Sequence, residues 1–112
     1  EVSWDPAPDT QSPTVVAVEI AVFDMDLKSP NGLALVARLL TAADDMDGQL
    51  VIPAEALQRL PAAPNRWNEL DEATGYWADM TIARHELRRV RGEGGDLVVD
   101  FIHAVNGPVF LE

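Results

Sequence analysis

The two histidines, His85 and His103, are the first place to look for chemistry, because imidazole titrates near neutral pH and binds metals as the free base. They fall on different predicted strands, with no serine or cysteine nucleophile beside either, so each reads as a surface or satisfied core histidine. Asp44, Asp45, Asp47 and Gly48 raise calcium, since hard cations want clustered carboxylate oxygens and a glycine lets a ligand loop turn sharply. Placing Asp45 and Asp47 at the third and fifth positions of an EF-hand loop puts Ala43 at the first and Ala54 at the twelfth, so both ends of that pattern lack a ligand. Asp24 and Asp26 join them only through a fold contact that the sequence does not show. The expectation is a solvated turn without metal. Glu69, Asp71 and Glu72 lie in a long loop where paired carboxylates could do glycoside chemistry, but acidic loop residues ordinarily serve solubility, and no catalytic residue is expected. Trp67, Tyr76 and Trp77 are the candidate ligand-binding residues, because aromatic faces in or beside a loop stack on sugar rings or anchor a protein partner. Their competing role is packing: with Trp 3, Tyr 1 and Phe 3, the chain needs its large rings for core volume.

The charge bounds the partners. Nineteen acidic against eight basic side chains leave a net charge of -11, which repels phosphate backbones and anionic headgroups. Neither nucleic acid nor a membrane surface is an expected partner; a protein or a glycan is. Four of the basic residues, Arg84, Arg88, Arg89 and Arg91, crowd into one short stretch, and the expectation is an exposed hairpin whose arginines pair with nearby acids. The absence of cysteine removes disulfides and thiolate metal sites, and no cofactor is expected. No apolar run reaches the ~18 residues of a membrane span.

The elements that must position these residues are mostly strands. A chain of 112 residues with 47% hydrophobic and 24% charged residues is ordinary usage for one domain, read here as 1–112, and its abrupt ends read as those of a domain taken from a larger parent. Val2-Ser3-Trp4, closed by Asp5-Pro6-Ala7-Pro8, predicts a short edge strand. Thr14 to Phe23 is β-branched, with Val16, Val18, Ile20 and Val22 on one face. Lys28-Ser29-Pro30-Asn31-Gly32 predicts a chain reversal. Leu33 to Ala43 carries both a strand and a helix period, and the strand is preferred because its neighbours need a hairpin partner. Gln49 to Ile52 reads as a short strand, Pro53 to Leu60 as one or two helical turns, and 61–75 as the long loop. Tyr76 to Val90 and Leu97 to Val105 alternate about the turn Gly92-Glu93-Gly94-Gly95, and Asn106-Gly107-Pro108 is expected to break the pairing before Val109-Phe110-Leu111. The predicted core is Val16, Val18, Ile20, Val22, Val51, Met80, Ile82, Leu97, Val99 and Phe101. Six or seven strands without strand–helix–strand alternation predict an all-β antiparallel sandwich with one short helix.

Two segments resemble immunoglobulin-like and fibronectin-III-like modules. Val2-Ser3-Trp4-Asp5-Pro6-Ala7-Pro8 is similar to the Trp-x-Pro opening of such domains, and Asp47 to Leu57 resembles an Asp-Gly, strand, Ile-Pro, short-helix segment of Ig-like domains in bacterial secreted and surface proteins. The antibody-type cysteine pair and the tyrosine of a tyrosine corner are absent. The resemblance implies a sandwich in an extracytoplasmic protein, serving as a non-catalytic interaction or spacer module; it transfers no functional residue. The alternative is a carbohydrate-binding sandwich using Trp67, Tyr76 and Trp77. The oligomeric state is open.

Overall fold

The computed structural model describes residues 1–7, 14–25, 32–64 and 76–111. Among them the chain is all-β with one short helix: strands β1 (Val2–Ser3), β2 (Thr14–Met25), β3 (Leu33–Asp44), β4 (Gln49–Leu50), β5 (Tyr76–Gly92) and β6 (Gly95–Val109), and helix α1 (Ala54–Gln58). Two antiparallel sheets result, β1 with β4, and a four-stranded sheet in the order β3-β2-β5-β6, compatible with a β-sandwich. Its two central strands are the most β-branched stretch and the one that follows the long loop, so β2 is paired along both sides.

The two-period stretch from Leu33 is strand, as preferred. The β2 ladder supplies the reason: Val16 faces Ala43, Val18 faces Thr41 and Ile20 faces Leu39, so the period-2 apolar set matches its neighbour's face, which a helix could not do. Between Val22 and Phe23 the register slips by one, leaving Val36 as the extra residue of a β-bulge.

Parity fixes the faces of the large sheet. Val16, Val18, Ile20 and Val22 are buried, and the β5 residues opposite them are Arg84, Ile82, Met80 and Ala78. Across β6 the same face continues through His103, Val105, Gly107 and Val109. At the Val22 end this face is closed by the loop after α1: Ala63 is buried against Val22 and Ala78, with Leu60, Val109 and Leu111 around it, and Ala63 and Leu111 exchange backbone hydrogen bonds of 2.7 and 3.1 Å.

Two expectations are corrected. Asn106-Gly107-Pro108 does not end the strand; β6 runs through it, because β6 is an edge strand and a proline there costs no ladder bond on the open side. Val51, Leu97 and Phe101, expected in the core, are exposed, and the opposite register does no better, since Val98 and Ile102 are exposed too. Met80, Ile82 and Val99 are half-buried. Alternation specifies which side chains share a face; it does not supply a layer to cover that face.

Candidate interaction surface

Two features stand out, one a tether and one a bare surface. The tether is made by the acidic turn. Asp45 opens a 3₁₀ turn, Asp45–Asp47, that Asp44 caps by accepting the Met46 amide at 2.9 Å. Gly48 follows at φ 68°, where a side chain is strained, and a Cβ there would stand 3.5 Å from both Pro6 Cγ and the Trp4 carbonyl. That tight turn aims Asp45 inward rather than at solvent. Its side chain is 0% exposed, and Arg84 pairs with it, Nη2 donating to Oδ1 at 3.1 Å while Nε stands 2.8 Å from Oδ2. Arg84 Nη2 also donates to the Asp5 carbonyl at 2.5 Å, the Ala7 amide donates to Asp45 Oδ1 at 3.4 Å, and Trp4 Nε1 donates to the Asp45 carbonyl at 2.9 Å. Burial pushes the Asp45 carboxyl up, but the hydrogen bonds from Arg84 and Thr14, the Arg84 charge and the Ala7 amide outweigh it and hold the group below its ordinary value. The small β1–β4 sheet is thereby pinned to the apolar face of the large one.

A carboxylate held in this way is not offered to a cation, and among the described residues no group of three or more His, Asp or Glu converges on one point. Sequence reasoning took the turn as solvated and missed this ion pair. Its only sequence signal is Arg84 itself, an arginine standing where the alternation of Ala78, Met80 and Ile82 calls for another apolar residue.

The bare surface lies beyond the start of β2. Thr14 faces Glu86 in the last rung shared with β5; beyond it, among the described residues, 87–92 and 95–100 pair only with each other, as a two-stranded arm closed by the two-residue turn Glu93-Gly94. On the core-side face of this arm stand Val90, Leu97 and Val99, continued along β6 by Phe101 and Val105; on the other face stand Leu87 and Val98, continued by Ile102. Leu97 is 65% exposed, Val98 69% and Val105 74%. A strand that is apolar on both faces is the signature of one covered on both faces, yet none of the described residues covers it.

Polar side chains rim the arm. Arg88 donates to both Glu86 oxygens, Nε at 2.8 and Nη2 at 3.0 Å, and lies 5.0 Å from the centroid of the Phe101 ring, while the Glu86 carboxylate raises the Arg88 pKa. On the opposite face His85 Nδ1 and Asp100 Oδ2 are 3.0 Å apart. The arginine cluster is thus divided: Arg84 serves the tether, Arg88 pairs with its neighbour, and Arg89 and Arg91 point from the exposed arm. His85 and His103 sit on adjacent strands but on opposite faces, since His103 is opposite Arg84 and His85 is opposite Ile102.

Of the candidate aromatic residues, Trp77 is 1% exposed and spends its ring on packing, Tyr76 beside it is exposed, and Trp67 lies outside the described residues, as do Glu69, Asp71 and Glu72. The described part therefore does not bring the three rings together. No described helix is long and apolar enough to cross a membrane. Compared with known protein families, curated proteins and solved structures, the chain matches none of them.

Proposed function

We propose that this chain is a non-catalytic interaction module, of the Ig-like or fibronectin-III-like kind, working outside the cytoplasm within a larger protein. The observation that supports the reading is the β5–β6 arm, apolar on both faces and bordered by β6, a 15-residue strand at the sheet edge among the described residues. Exposed apolar surface of this extent is costly to keep in water and mark binding sites when rimmed by polar residues, as this one is by Arg88, Glu86, His85 and Asp100. An open strand edge adds main-chain donors and acceptors that a partner strand can satisfy. The extracytoplasmic setting and the family likeness rest on the resemblance of the Trp4 and Asp47–Leu57 segments alone.

Selection of displayed peptides on the immobilised chain tests the reading. The expected result is enrichment of extended, alternating apolar peptides whose binding is lost on the double variant Leu97→Lys/Ile102→Lys, which alters both faces of the arm without touching a buried residue. Peptides that bind this variant as well as the parent chain, or no enrichment at all, count against it.

A further inference from the structure

We infer that the occupant of the bare surface is a second copy of this chain, the two copies stacking the core-side faces of their β5–β6 arms about a two-fold axis to complete a sandwich that each begins alone. The inference rests on the interaction-module reading and deepens it by naming the partner.

Three observations carry it. The first is area. The chain exposes 8012 Å², against about 6,100 Å² for a monomeric protein of 12.2 kDa. That surplus belongs to the whole elongated chain, and the exposed residues of the arm contribute to it. In keeping with this, the radius of gyration is 17.6 Å, where a compact chain of this length has about 13 Å. The second is charge. A body at -11 repels its own copy, but within residues 87–100 Arg88, Arg89 and Arg91 balance Glu93, Asp96 and Asp100, so the whole net charge lies outside the arm. The arm is the part of the chain that can meet itself without a Coulomb penalty.

The third is continuity of the face. Val90, Leu97, Val99, Phe101 and Val105 have the same parity as Val16, Val18, Ile20 and Val22, which the chain's own small sheet and the loop after α1 already cover. The other face of the arm is interrupted by Arg89, Arg91, Asp96 and Asp100, whereas the core-side face carries only the mutually paired Glu86 and Arg88, with His103, among its apolar residues. An open hollow lined by Met80, Ile82, Val105, Gly107 and Val109 of that face, together with Asn106 and Pro108, lies next to it. A two-fold contact uses one patch twice, so a single self-complementary apolar face suffices, with the stacked sheets about 10 Å apart.

Mass measurement by sedimentation or light scattering at tens of micromolar, with binding of a hydrophobic dye in parallel, tests the inference. The parent chain is expected at twice 12.2 kDa. Leu97→Lys/Val105→Lys, on the core-side face, is expected to halve that mass while leaving the far-ultraviolet dichroism unchanged, because both residues are exposed. Val98→Lys, equally exposed on the other face, is expected to keep the dimer. A parent chain that runs at 12.2 kDa and binds the dye overturns the self-pairing but leaves the arm open to a different partner. A monomer that binds no dye overturns the interaction-module reading as well. A dimer that survives Leu97→Lys/Val105→Lys, or that Val98→Lys breaks equally, overturns the stacking proposed here.

Discussion

Replacing Asp45 by asparagine keeps the shape of the side chain and removes its charge, leaving the Arg84 guanidinium facing a neutral group. Removing one partner of a fully buried pair costs ~3–5 kcal/mol, because the remaining charge has lost its compensation. Arg84 is 33% exposed at its side chain and recovers part of its hydration, which lowers the expected loss to about 2–3 kcal/mol. The sign with pH follows from the depressed Asp45 pKa. In the unfolded chain the carboxyl titrates near its ordinary value of ~3.9; in the fold it titrates lower. The stabilisation is therefore complete above the unfolded value and fades as pH falls through the folded one. Urea melts of both proteins at pH 7 and near pH 3 should show a gap of about 2–3 kcal/mol at the first that narrows at the second. Because Trp4 Nε1 and the Trp4 amide bond to Asp45 and Gly48, faster amide exchange at Trp4 should accompany the loss. A variant within about 0.5 kcal/mol of the parent at pH 7, or a gap independent of pH, would refute the tether.

Other expectations follow from burial and backbone geometry. Val18→Ala, at a fully buried position of β2, should cost about 1.5–3 kcal/mol in a denaturant melt, whereas Val51→Ala, exposed, should stay within ~0.5 kcal/mol. Trp77→Ala should cost at least ~3 kcal/mol, and a mild effect would mean the ring is not packed as described. Gly48→Ala places a Cβ at positive φ beside Pro6 and Trp4 and should lower stability by roughly 1–2 kcal/mol, read from the melting midpoint. Millimolar calcium should leave the melting temperature unchanged, because Arg84 holds the one acidic side chain of the turn that is aimed inward; a rise of several degrees would show a site there.

What the sequence determined by itself is local. The β-branched run of β2, the turn residues Gly92 to Gly95, the short helix after Pro53 and the all-β class follow from properties of neighbouring residues, and all are in the structure. Leu33 to Ala43 lay between two periods, and only the ladder with β2 decided for strand, since pairing rewards one period and not the other. The site is less legible. Asp45 reads as a solvated acid in its own segment, and only the meeting of a turn with a strand 39 residues away makes it one half of a buried ion pair. Likewise the alternation of β6 placed Leu97, Val99 and Phe101 together on a face, but whether that face is interior depends on what lies above it. The described covering segments reach Val16 to Val22 and stop short of the arm, because burial is a property of layers that tertiary packing brings together, while periodicity belongs to a single strand.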